Sequence, residues 1–205
     1  MAASTRMVSP GVGLGLALVL VLPLVGLFVL LAAPSLDAHW EHQPSHFWLV
    51  LGTAGLAAAL GWSVGTSARR RADARLFLVS LSFVAAAAFL GLHALATPGV
   101  LLDESNAGFA VATPVGLLLS SALAVWSSLP LDGPRARWVM ARTTALRAVL
   151  VALIVGWAAW SLAELPLLDA SPPEARSVFM VSLALPGIAL FAVATARYFE
   201  LALPT

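Results

Sequence analysis

The chain has 205 residues, of which 60% are hydrophobic and 10% charged, with a formal net charge of +1. A soluble domain carries about 25% charged residues, so this composition excludes water as the main solvent and points to an all-α transmembrane bundle. The absence of cysteine removes disulfides, thiolate metal sites and thiol nucleophiles; the absence of lysine removes any Schiff base to retinal or pyridoxal phosphate.

A helix crosses the hydrocarbon core with roughly 20 apolar residues, and runs of that length predict six antiparallel spans in a single domain, 1–205. The first, 12–33, has Gly11 and Gly15 as a short ridge of small residues. Its length exceeds the roughly 7–15 residues of a signal-peptide core, so it is expected to be a retained helix; cleavage would leave five spans. The second, 46–66, carries Thr53, Ala57, Gly61 and Gly65 at four-residue spacing, a ridge that lets helix backbones approach and predicts a central position in the bundle. Pro44 disfavours helix at the residue before it, so this helix is expected to begin at Pro44. The third span, 76–96, holds His93 near its end, and the fourth, 108–129, contains Pro114, which should kink the helix and free a carbonyl. The fifth, 146–165, holds Glu164 near its end, and the sixth, 178–199, contains Pro186.

Between the spans lie turn formers: Pro34-Ser35, Gln43-Pro44, Pro98-Gly99, Asn106-Ala107-Gly108, Asp132-Gly133-Pro134 and Pro172-Pro173. Trp40, Trp48, Trp62, Trp126, Trp138 and Trp160 fit interfacial anchoring. No internal repeat is evident.

Arginine placement sets the expected orientation, because basic residues remain on the cytoplasmic side of short loops. Arg6, the groups Arg69 to Arg75 and Arg135 to Arg147, and Arg197 fall on one side, with Arg176 opposite. Asp37, Glu41, Asp103, Glu104, Glu164, Asp169 and Glu174 gather on the other. Both termini are thus expected in the cytoplasm of a multi-pass cell-membrane protein. The arginines serve this topology and contact with the lipid bilayer. No phosphate-binding loop is present, and nucleic-acid binding is not indicated.

All four histidines belong to the expected outer side. Imidazole is the commonest protein ligand for transition metals, and with carboxylates it suits zinc or copper. The stretch from Asp37 to His46 includes His39, Glu41, His42 and His46, and His93 ends the next span at similar depth, so His46 and His93 are expected to approach each other. These five residues form the candidate metal site, with Glu164 as a possible proton or charge partner. The ordinary alternatives are a solvated polar loop for the first group, a helix-to-helix hydrogen bond for His93 and an interfacial charge for Glu164. No HExxH signature is present.

The runs Arg75-Leu-Phe-Leu-Val-Ser-Leu-Ser-Phe-Val, Phe89-Leu-Gly-Leu-His93 to Pro98-Gly-Val and Asn106-Ala-Gly-Phe109 to Pro114-Val-Gly, with Glu41-His42 and His46-Phe47 upstream, resemble a bacterial membrane module. It is the membrane-embedded N-terminal sensor-like region of bacterial adenylate cyclases and sensor histidine kinases. The resemblance covers roughly residues 35–130. It implies a sensory or anchoring role in the bacterial inner membrane, with His42, His46 and His93 at recurrent histidine positions. No cyclase or kinase domain follows the sixth span, so signalling would require a partner in trans or a longer chain.

The leading expectation is therefore a non-enzymatic membrane sensor or binding module with a histidine-rich outer site for a transition metal. The alternatives are a redox protein with b-type haem between His46 and His93, a structural subunit or homo-oligomer in a membrane complex, and a small-molecule transporter or membrane enzyme. Against transport of charged substrates, no ionisable group sits mid-span.

Overall fold

A computed structural model describes residues 10–36, 42–104, 106–163 and 173–202. The chain falls into two compact units, Met1–Glu41 and His42–Thr205. In the first, α1 (Pro10–Ala32) is a 23-residue helix without a charged residue, followed by a 3-10 turn at Pro34–Leu36.

The second unit is built from α2 (Gln43–Arg70), α3 (Ala74–Ala94), α4 (Ala107–Ala110), α5 (Ala112–Ser128), α6 (Gly133–Ala141), α7 (Thr143–Leu162) and α8 (Pro173–Ala202). Local chemistry sets these boundaries. His42 is the N-cap of α2, its Nδ1 accepting from the Ser45 backbone N–H at 3.2 Å, and Pro44 occupies the first turn, where its missing N–H costs nothing. The helix thus begins one residue ahead of the expected Pro44. Ala72 takes the left-handed conformation at φ 52° to turn the chain, and Asp73 caps α3 by accepting from Leu76 N–H at 2.9 Å. Pro130 stops α5 at Leu129, whose backbone is extended.

Among the described residues, four helices are long and apolar enough to cross a membrane: α2, α3, α7 and the Ser177–Leu201 part of α8. This corrects the expected six spans. The expected fourth is broken at Val111 and leaves a 17-residue α5, about 26 Å long against a core of about 30 Å. The expected first, α1, has many side chains outside the described residues and is not among the four. The connection after α5 also contains a helix, α6, that the turn chemistry around Pro134 did not suggest.

Helix α3 is the centre of the second unit, packing against α2 on one flank and α5 on the other, while α5 packs against α8. The expected centre was α2, which instead buries only one stripe: Phe47, Ala54, Gly61, Gly65 and Ala68. Its Thr53, expected on that stripe, is exposed. Close backbone approach explains the stripe, since a Cβ at Gly61 would lie 2.9 Å from Val84. On the other flank a Cβ at Gly116 would overlap Phe89. Interhelical hydrogen bonds add to this packing: Ser82 Oγ donates to the Ser120 carbonyl at 2.7 Å, and the Ser127 and Tyr198 hydroxyls are 2.8 Å apart. Such bonds contribute about 0.6 kcal/mol each in a membrane. Outward faces carry exposed Leu49, Leu56, Val149, Leu153, Val181 and Leu185, as in a multi-pass membrane protein whose helices contact lipid.

Adding a single methyl group separates packing from helix propensity. Gly116→Ala should lower the thermal unfolding temperature in detergent, because overpacking of about 1–3 kcal/mol outweighs the propensity gain of about 1 kcal/mol. Gly52→Ala, whose Cβ would meet nothing within 4 Å, should leave it unchanged or raise it. The cap gives a second expectation: His42→Ala should destabilise by about 1 kcal/mol and His42→Asn should restore most of the loss, both read from the same unfolding curves.

Candidate functional site

The tight turn between α2 and α3 makes them antiparallel, so the first turn of α2 and the last turn of α3 lie at one end of the unit. His46 comes from the former and His93 from the latter. Their rings meet edge to face, with centroids 6.4 Å apart and planes at 84°. The expected approach of these two residues is therefore present. His46 is exposed and His93 half-buried.

The surroundings of His93 follow from Pro114. A proline has no N–H for the carbonyl four residues earlier, and its ring crowds that carbonyl; here the carbonyl belongs to Ala110, and the helix breaks between α4 and α5. His93 Nδ1 lies 3.1 Å from the freed Ala110 oxygen. A carbonyl only accepts, so Nδ1 carries the proton, and in the neutral ring the lone pair is on Nε2. This is the tautomer in which metal-binding histidines are commonly held, with the remote nitrogen donating to a backbone oxygen.

The α4–α5 junction is itself clamped. Asn106 Oδ1 caps α4 by accepting from Phe109 N–H at 3.0 Å, while its Nδ2 donates to the Ser161 carbonyl at 2.7 Å. Trp157 Nε1 donates to the Gly108 carbonyl at 3.0 Å, and a Cβ at Gly108 would overlap Ser161. Phe89 and Trp157 also meet, with ring centres 6.1 Å apart. Asn106, Trp157 and Ser161 were not among the expected site residues. Asn106 read only as a turn former, and Trp157 lies too far inside its span to signal an interfacial anchor.

His42 lies at the same end, its Nδ1 engaged by Ser45, whose Oγ is 2.7 Å away. The remaining candidates, His39, Glu41 and Glu164, fall outside the described residues. Among the described residues, no group of three or more His, Asp or Glu side chains comes together to hold a metal ion. The pair His46 and His93 is the part of the expected cluster that the structure brings together.

The opposite end carries Arg69, Arg70, Arg71, Arg75, Arg135, Arg137, Arg142 and Arg147. Several guanidiniums meet aromatic rings there: Arg147 lies 4.3 Å from the Trp62 centroid and 5.6 Å from that of Phe77, and Arg142 lies 4.4 Å from Trp138. Arg75 donates from Nη2 to the Leu129 carbonyl at 3.3 Å and lies 5.8 Å from the Tyr198 ring. Compared with protein-family models, curated proteins and solved structures, the chain matches none.

Proposed function

We propose that this chain is a membrane-embedded binding module that takes a transition-metal ion, zinc or copper, between His46 and His93 near its outer face. The observation that carries this reading is the pairing of the two rings at 6.4 Å, with His93 fixed in the tautomer that leaves Nε2 its lone pair. A metal–imidazole bond is about 2.0–2.1 Å, so rings at this spacing suit a single ion. Water would complete the coordination. The arginine-bearing end is then cytoplasmic.

An ion shared by His46 and His93 ties the start of α2 to the end of α3. Through the Nδ1–H of His93 it also polarises the hydrogen bond to the α4–α5 junction. Metal occupancy thereby favours one arrangement of these three elements over others, by as much as the ion's affinity differs between them. That is the logic of a sensor, and its output would pass to a partner in trans, as the resemblance to cyclase and kinase membrane modules implies.

Isothermal titration of the purified protein with zinc and with copper tests the site. The wild type should bind one ion, and His46→Ala and His93→Gln should each weaken binding at least about tenfold, loss of one ligand bond being worth more than about 1.4 kcal/mol. Glutamine at 93 keeps an N–H donor for the Ala110 carbonyl, so its effect isolates the imidazole. His42→Asn should bind as the wild type does. Unchanged stoichiometry and affinity in both His46→Ala and His93→Gln would overturn the assignment, and a Soret band in protein produced with haem present would replace the ion by a haem.

A further inference from the structure

At the arginine-bearing end, a groove of about 680 Å3 opens beside the end of α5, the 129–132 connection and α6, within the range of small-molecule sites. Trp126, Leu131, Pro134, Trp138 and Val139 give it an apolar lining, and Arg135 is its charged residue. Arg142 sits over the ring of Trp138, so a second guanidinium stands beside the lining. We infer that this groove holds an acyl chain of an anionic phospholipid, whose phosphate is bound by Arg135 and Arg142.

Three observations converge on that occupant. First, α5 is apolar but shorter than the four helices of spanning length, and its 17 residues end about 4 Å short of the bilayer core thickness. The apolar wall formed by Leu129, Pro130 and Leu131 therefore continues at the depth of lipid chains, where a mismatch is met by lipid rather than by water. Second, the charge is complementary to an anionic headgroup. Between residues 69 and 147 this end carries eight arginines against Asp73 and Asp132, and α6 itself contains Arg135 and Arg137 with no acid. Guanidinium groups pair with phosphate through paired N–H donors, whereas a neutral headgroup offers no net charge to match. Third, the wall is held in place. Arg75 donates to the Leu129 carbonyl at 3.3 Å, and Trp126 and Trp138 face each other across 6.1 Å.

This inference rests on the membrane placement of the chain and is independent of the histidine pair. The test uses the full chain in mild detergent, delipidated and then titrated with phosphatidylglycerol, phosphatidylcholine or inorganic phosphate, with bound lipid counted by native mass spectrometry. Wild type should retain phosphatidylglycerol in preference to phosphatidylcholine. Arg135→Gln should weaken that retention about fivefold, the value of one arginine at an anionic lipid surface. Arg71→Gln, an equal charge change on an exposed residue away from the groove, should not. Leu131→Trp fills the groove and should weaken retention with every arginine intact. Equal losses in Arg71→Gln and Arg135→Gln, equal retention of the two lipids, displacement of the lipid by inorganic phosphate, or an unaffected Leu131→Trp would each overturn the assignment. Resistance of the wild type to alkaline extraction from liposomes is scored separately; its failure would remove the membrane placement itself.

Discussion

Pro114 leaves the Ala110 carbonyl without its helical partner, and in a bilayer such an oxygen has no water to turn to. His93 answers it with Nδ1–H from the neighbouring helix. That contact fixes the imidazole tautomer and ties the end of α3 to the α4–α5 junction. Asn106, Trp157 and Ser161 extend the tie to α7. His46 then meets His93 because α2 and α3 run antiparallel from a three-residue turn. The geometry of the histidine end thus descends from one missing backbone N–H.

The same absence of water explains why α3 is the centre. Lipid chains are as apolar as leucine, so helices in a membrane gain little by hiding leucine from their surroundings; they gain by approaching closely and by satisfying polar groups. Helix α3 does both. It meets Gly61 and Gly65 of α2 on one side and Gly116 of α5 on the other, and its Ser82 bonds to the α5 backbone. Helices α7 and α8 keep their valines and leucines outward, where the bilayer covers them.

Membrane character, helical class and the meeting of His46 with His93 were legible in the sequence, because length, hydropathy and antiparallel order suffice to derive them. The freed carbonyl at Pro114 was legible too, although its partner was not. The central helix was misjudged because glycine ridges are conspicuous in α2, whereas α3 presents alanines and serines whose role depends on what they face. The span count failed at the fourth segment, where Pro114 does not kink a continuous helix but divides it, leaving α4 as a single turn. Helix α6 was invisible for a different reason: the stretch from Gly133 to Ala141 is short and arginine-rich, and its order comes from packing Val139 against α3-centred residues such as Leu78 and Leu81.

Helix α7 shows how polar contacts substitute for packing. It touches α3 lightly, yet it is held at both ends. At the histidine end Trp157 and the Ser161 carbonyl bind the α4 turn. At the arginine end Arg147 reaches between α2 and α3 to the faces of Trp62 and Phe77. Gly65 makes room there, since a Cβ at that position would stand 2.9 Å from the Arg147 guanidinium. A cation placed on aromatic faces keeps electrostatic stabilisation of about 0.5–2 kcal/mol without burying a carboxylate, which suits a segment passing from headgroups into hydrocarbon. The position of α7 is consequently set by a few directional contacts rather than by a broad interface. The contact at its histidine end lies on the same α4–α5 junction that His93 meets through the Ala110 carbonyl, so α3 and α7 hold that junction from two sides.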